Sequence, residues 1–138
     1  MDQIRDIMQT NVKTIDYHKS ALDAAKMLTE KKISFLVVQK ENQPVGVVTE
    51  RDIVQKISST DEKPSEFPLA DIITTDFKWV GPDEEIENAI QKMLNSNIRR
   101  LLVLEEKKLV GVITLTDLAG FLRRKLLING TLKKVESS

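Results

Sequence analysis

One pattern occurs twice in this chain, at a constant offset of 65 residues and without a gap, so that residues 4–57 align with residues 69–122. The agreement is closest between VGVVTERD at 45–52 and VGVITLTD at 110–117, and most other pairs exchange one apolar residue for another. A unit of about 55 residues is marginal as an independent domain. We therefore expect the two copies to pack on each other as a pseudo-twofold pair.

Composition excludes several classes of function. The 21 basic residues balance the 21 acidic residues, which argues against the basic field that non-specific nucleic-acid binding requires. The chain has no cysteine and a single histidine, which argues against a thiolate metal site, a cysteine nucleophile and a histidine-based triad. We therefore expect no catalytic residues, no metal and no nucleic-acid partner.

The distribution of apolar residues predicts where the protein resides. No apolar run approaches the roughly 20 residues that span a bilayer. The N-terminal MDQIRDIMQT is acidic and lacks the apolar stretch of a signal peptide. We expect a cytoplasmic protein without membrane contact.

Hydrophobic periodicity predicts the same order of elements in both copies. A short strand precedes an amphipathic helix, whose apolar stripe includes Ala21 in the first copy and Ile86 in the second. Two apolar strands joined by a polar turn then form an antiparallel hairpin. A closing helix begins near Thr49 and near Thr114. The predicted class is α/β (α+β), with two β-α-β-β-α repeats.

Composition shifts along the chain predict the domain boundaries. The segment 61–68 is a linker, because it and the residues just before it are rich in proline, small and charged residues. It separates a first repeat at 1–60 from a second repeat at 69–127. A loosely held tail is expected at 128–138.

The strongest local signal lies where the last strand of each copy meets its closing helix. Thr49 and Asp52 stand at this junction in the first copy, and Thr114 and Asp117 in the second. A helix N-terminus attracts phosphate, and an acidic side chain beside it can hold the hydroxyls of a ribose. Alternatively, T-x-x-D is a capping box that only stabilises the helix. The junction residues alone leave both interpretations open.

The tandem units, each ending in G-h-h-[ST]-x-x-D-h after an apolar hairpin, resemble a pair of CBS domains, the Bateman module. The resemblance covers nearly the whole chain and includes DIMQTNVKTI at 6–15, which is similar to the usual first segment of the family. It implies a regulatory module without catalysis or cofactor that binds AMP, ADP or ATP, or else S-adenosylmethionine, NAD or a dinucleotide. It also implies a homodimer, and we expect the effector to be a separate, unknown protein. The alternative is a CBS pair that serves as an interaction scaffold and binds no nucleotide.

Carried over residue by residue, the resemblance implies a first site between the copies. Asp52 holds the ribose with help from Thr49, and residues of the first copy surround the base. Arg99 and Arg100 of the opposite copy meet the phosphate, although they could instead be solvated residues at a helix end. Arg51 adds a second contact or lies on a solvated helix face. The complete set is Met8, Lys13, Ile33, Ser34, Thr49, Arg51, Asp52, Arg99 and Arg100.

The resemblance implies a second, weaker site built from Lys78, Ile98, Thr114 and Asp117. It is expected to be weaker because the residues equivalent to the two arginines are uncharged.

Other residues carry less specific signals. Trp79 is interpreted as a partly buried core aromatic, with base stacking as the alternative. Apolar helix positions beyond those needed for the core are candidates for the homodimer interface: Ile53, Ile57, Leu118, Phe121 and Leu122.

Overall fold

The computed structural model of the protein describes residues 2–128 and Gly130. The predicted tail at 128–138 therefore lies, apart from Ile128 and Gly130, outside the described residues. None of the helices in this part of the chain combines the length and the apolar character that crossing a membrane requires.

Both repeats have the predicted order of elements, so the mixed α/β class is confirmed. The elements of the first repeat are β1 (Thr14–Asp16), α1 (Ala21–Lys31), β2 (Phe35–Lys40), β3 (Gln43–Thr49) and α2 (Glu50–Ile57). Those of the second repeat are β4 (Trp79–Val80), α3 (Ile86–Ser96), β5 (Arg100–Glu105), β6 (Lys108–Thr114) and α4 (Leu115–Ile128). Short 3-10 turns lie at Ile4–Asp6, Pro64–Glu66 and Leu69–Asp71.

Each repeat forms a three-stranded sheet with its hairpin at one side. The strand orders are β1-β2-β3 and β4-β5-β6. In the first sheet β1 is parallel to β2, and β2 is antiparallel to β3 with Leu36 opposite Val48. The hairpin turn of the first repeat places Glu41 and Asn42 at positive φ, as a tight two-residue turn with the twist of a hairpin requires.

The structure contains two compact units, and each takes the first residues of the other repeat. We call residues 2–10 and their equivalents 67–75 the leading segments. The first-repeat unit comprises residues 11–77 and 106–109, and the second-repeat unit comprises the described residues of 1–10, 78–105 and 110–138. The leading segment 2–10 therefore belongs to the first repeat by sequence and to the second-repeat unit by contact.

The leading segment 2–10 is held in the second-repeat unit by its side chains and by its backbone. Ile4 is fully buried in a core that contains Leu101 and Ile113. Arg5 forms an ion pair with Asp83, and its amide donates to the carbonyl of Pro82 in the same unit over 2.9 Å. The other leading segment contributes to the core of the first-repeat unit in the same way. Its buried residues are Leu69, which is equivalent to Ile4, and Ile72 and Ile73.

Two sequence-based interpretations are wrong. Trp79 is 49% exposed and is not among the described residues of either core, because side chains alternate along a strand and its neighbour Val80 faces the core. Ile57 and Leu118 cannot serve as a homodimer interface, because both are buried in the cores of their own units. Of the five candidate interface residues, Leu122 is the large hydrophobic that remains 46% exposed.

Candidate functional site

In the first-repeat unit, Thr49 and Asp52 form a complete capping box at the start of α2. The Thr49 amide and hydroxyl both donate to Oδ2 of Asp52, over 2.9 and 3.0 Å, and the Asp52 amide donates to Oγ1 of Thr49 over 3.1 Å. The residues that the structure describes give Oδ1 of Asp52 no hydrogen bond. Capping and ligand binding are therefore compatible, since one carboxylate oxygen stabilises the helix and the other remains for a ligand hydroxyl.

Thr114 and Asp117 repeat this arrangement at the start of α4. The Thr114 amide donates to Oδ2 of Asp117 over 2.9 Å, and the Asp117 amide donates to Oγ1 of Thr114 over 3.2 Å. Here the side chain of Gln9 adds a contact, because its Nε2 lies 3.2 Å from both carboxylate oxygens of Asp117. Gln9 is not among the site residues predicted from the sequence. The signal for it was the replacement of Gln9 by the shorter Thr74 at the equivalent position.

The glycine of each motif allows a leading segment to approach the strand. A Cβ on Gly46 would lie 2.8 Å from the carbonyl oxygen of Thr74, and a Cβ on Gly111 would lie 2.8 Å from the carbonyl oxygen of Gln9. Real Cβ atoms essentially never approach a neighbour so closely. Each motif therefore needs glycine at this position because the backbone of a leading segment packs directly against the strand.

Met8 lies in the second-repeat unit, whereas Asp52 lies in the first-repeat unit. The residue was assigned to the site of Thr49 and Asp52, but its side chain packs against Gly111 in the second-repeat unit. The corresponding neighbour of Gly46 is Ile73. The sequence places Met8 beside its own repeat, whereas the backbone pairing of its leading segment with β6 places it in the other unit.

The remaining predicted residues of the first site lie as follows. Lys13 belongs to the unit that contains Asp52, and its ammonium donates to Oδ1 of Asn11 over 3.1 Å. Ile33 packs against the first core, and Ser34 is exposed just before β2. Arg51 is exposed in the first turn of α2.

The remaining predicted residues of the second site lie in the second-repeat unit. The Lys78 carbonyl accepts the Leu102 amide over 3.1 Å, which fixes the start of β4 beside β5. Ile98 packs against the second core.

The two arginines differ in their surroundings. Arg99 is exposed, and its carbonyl accepts the amide of Leu115 over 2.8 Å, which ties the chain before β5 to the first residue of α4. Arg100 begins β5 and is half-buried, and this burial lowers the pKa of its guanidinium. The contact of both side chains with a phosphate stays a prediction.

The sequence model of the CBS domain matches residues 4–59 and again residues 69–124. The chain belongs to the CBS-domain family. Proteins that contain CBS domains are generally regulatory. An uncharacterized Methanopyrus kandleri protein, MK0525, is 30% identical over 117 residues, which are 83% of this chain and 60% of that relative's length.

Solved CBS-pair structures have the same fold as this chain. A Vibrio cholerae protein assigned to acetoin utilization, AcuB, superposes with a TM-score of 0.81 at 23% identity and covers 97% of this chain and 99% of its own. The CBS domain pair of protein MJ0100 superposes with a TM-score of 0.77 at 24% identity, covering 91% of this chain and 98% of its own. That protein was crystallised with 5′-methylthioadenosine and S-adenosyl-L-methionine.

The described residues of this chain contain no group of three or more His, Cys, Asp and Glu side chains that could hold a metal ion.

Proposed function

We propose that this CBS pair is a regulatory module that binds an adenine nucleotide, AMP, ADP or ATP, and signals to a partner protein. The observation that carries the proposal is the Asp52 carboxylate at the start of α2. Its Oδ2 is fully engaged by the helix cap, while Oδ1 accepts no hydrogen bond from the described residues. A carboxylate oxygen in this position can accept a ribose hydroxyl, and the helix N-terminus beside it favours a phosphate.

The adenosine part of the proposal is supported by the structural relatives. The MJ0100 pair holds two ligands that share an adenosine group, 5′-methylthioadenosine and S-adenosyl-L-methionine. The second of these makes S-adenosylmethionine the second candidate ligand for this chain. The predicted roles of Arg99 and Arg100 favour a phosphate instead, because a guanidinium matches phosphate oxygens in geometry and charge.

The mode of signalling follows from the leading segments. Each motif aspartate lies in the same unit as the leading segment of the other repeat. A ligand at Asp52 is therefore expected to rigidify residues 67–75 together with α2, and an ordered segment can be recognised differently by a partner. We propose that the module is not an enzyme, forms a homodimer in the cytoplasm and acts on a separate effector protein.

A thermal-shift screen tests the proposed function. AMP, ADP, ATP, S-adenosylmethionine and NAD are added separately, with GMP as the control for the base. A ligand at 100 times its dissociation constant stabilises the folded state by about 2.7 kcal/mol, which is readily measured. The absence of any shift and of any calorimetric heat with all five adenosyl compounds at millimolar concentration would contradict the proposal and favour the interaction scaffold.

A further inference from the structure

The two Thr-x-x-Asp junctions differ in what their aspartates contact. The Asp117 carboxylate has Nε2 of Gln9 at 3.2 Å from Oδ1 and at 3.2 Å from Oδ2. The Asp52 carboxylate receives its described hydrogen bonds on Oδ2 alone. One motif carboxylate is thus engaged on both oxygens by the protein itself, and the other on one.

The backbone fixes Gln9 in this position. Its amide donates to the Val112 carbonyl over 2.8 Å, and its carbonyl accepts the Val112 amide over 2.9 Å. The pairing depends on a glycine at position 111, because an added Cβ there would lie 2.8 Å from the Gln9 carbonyl oxygen. The side chain is exposed and can rotate, so Gln9 can release Asp117 without any movement of its backbone.

The same place beside Asp52 is occupied by a residue that is too short for this contact. Thr74 pairs with Val47 as Gln9 pairs with Val112, over 3.0 and 2.9 Å. The threonine side chain ends at its γ atoms, two bonds short of the amide nitrogen of a glutamine. No hydrogen bond from Thr74 to Asp52 occurs among the described residues. The two leading segments therefore make the same backbone pairing, but in the described part of the chain only the segment with Gln9 donates a side-chain hydrogen bond to the motif aspartate.

The amide group of Gln9 takes the positions that a ribose needs. A ribose binds a carboxylate by donating a hydroxyl hydrogen to it, and at Asp117 the oxygen that the helix cap leaves for this, Oδ1, already accepts from the NH2 group of Gln9. A ribose can reach Asp117 only after this side chain has rotated away. Its binding there must compensate for the loss of a hydrogen bond to a charged group.

We propose that Gln9 sets the order in which the two sites fill, because its amide occupies Asp117 and leaves Asp52 as the first site for ribose. This inference rests on the proposed function, since it assumes that the motif aspartates hold ribose. It differs from the predicted effect of the arginines, which concerns the phosphate. It therefore applies equally to adenosine, which has no phosphate.

A pair of reciprocal variants in the full chain tests the inference. Gln9→Thr places a threonine beside Asp117, as Thr74 is placed in the first-repeat unit. Thr74→Gln places a glutamine in the first-repeat unit, as Gln9 is placed beside Asp117. Both residues already occur at equivalent positions of this chain, so neither change is expected to affect folding. Adenosine binding is measured by calorimetry, and binding at Asp117 is isolated in an Asp52→Ala background.

In that background, Gln9→Thr is expected to tighten adenosine binding roughly ten- to hundredfold, the value of one lost competing hydrogen bond to a charged group. Thr74→Gln in the otherwise unchanged chain is expected to weaken the tighter site by a similar factor. 2′,3′-Dideoxyadenosine is the matched ligand, and its affinity should not change in either variant, because it lacks the hydroxyls that compete with Gln9.

Each outcome separates the two proposals. Unchanged or weaker adenosine binding after Gln9→Thr would overturn the inference, and weaker binding would show that Gln9 contacts the ligand. Two equal affinities in the unchanged chain would overturn it while leaving the proposed function intact. An unchanged chain that binds no adenosyl compound at all would remove both.

Discussion

Val47 and Thr74 donate backbone hydrogen bonds to each other, over 3.0 Å from the Val47 amide and 2.9 Å from the Thr74 amide. This pair joins β3 to the leading segment of the other repeat, one residue after the glycine of the motif and two before Thr49. The leading segment is thereby fixed beside the junction that carries Asp52.

Gly46→Ala is expected to destabilise the protein by about 1–3 kcal/mol, the range of overpacking in a well-packed interior. The new Cβ would stand 2.8 Å from the Thr74 carbonyl oxygen, a backbone atom that cannot move without losing its pairing with Val47. Urea denaturation measures the change.

Gly120→Ala is the control, because in α4 the added methyl group meets only the end of the Arg124 side chain at 3.4 Å. There we expect a gain of about 0.5–1 kcal/mol from helix propensity. A Gly46→Ala protein as stable as the unchanged chain would show that the segment can shift.

Asp52→Ala is expected to weaken adenine-nucleotide binding by about 1.5–3 kcal/mol, the value of a hydrogen bond to a charged group. It should also cost about 0.5–2 kcal/mol of stability, because the capping box is lost. Calorimetry and denaturation of the same variant measure the two effects.

Asp23→Ala is the matched control for Asp52→Ala, since Ser20 and Asp23 form the same capping box at the start of α1. It should lower stability and leave affinity unchanged. If Asp52→Ala also left affinity unchanged, Thr49 and Asp52 would be a helix cap and nothing more.

Ile4→Ala is expected to cost about 2–5 kcal/mol, as the truncation of a fully buried side chain does. The loss of stability should appear in the second repeat, although Ile4 belongs to the first repeat by sequence. Hydrogen exchange should show faster opening of α3 and β5 than of α1. Leu69→Ala, at the equivalent position, should produce the reverse pattern, and faster exchange in the same elements for both variants would contradict the exchange of leading segments.

The double change Arg99→Ser with Arg100→Phe is expected to weaken AMP binding far more than adenosine binding. It installs the residues found at the equivalent positions of the first repeat, Ser34 and Phe35. Charge-assisted bonds to phosphate are roughly twice as strong as neutral ones, so only the ligand with a phosphate should lose them. Equal losses for the two ligands would show that the arginines do not contact phosphate.

The sequence predicted the local structure well. Periodicity identified each helix and strand, and the polar turn predicted between the two apolar strands is the hairpin turn at Glu41 and Asn42. Thr49 and Asp52 were singled out because a capping box and a ligand carboxylate require the same residue types at the same spacing. These features depend on residues within a few positions of each other.

The features that the sequence did not reveal depend on distant contacts. Met8 was grouped with its own repeat because nothing in the local pattern indicates which sheet a leading segment pairs with. Trp79 was assigned to a core from its residue type, but the outcome depended on which face of a two-residue strand it occupies. Gln9 lies 108 positions from Asp117, so only the fold could bring the two together.

The exchanged leading segments have a consequence for any chain that carries a single repeat. Such a chain would lack the residues that fill its core, since Ile4 and Leu69 each serve the copy to which they do not belong by sequence. Two such chains could complete each other by exchanging their leading segments, as a domain-swapped dimer. Joining two copies in one polypeptide makes that exchange intramolecular, at an effective concentration on the order of millimolar that dilution cannot lower. Duplication thus makes folding independent of protein concentration, and it also frees the two copies to diverge at single positions such as 9 and 74.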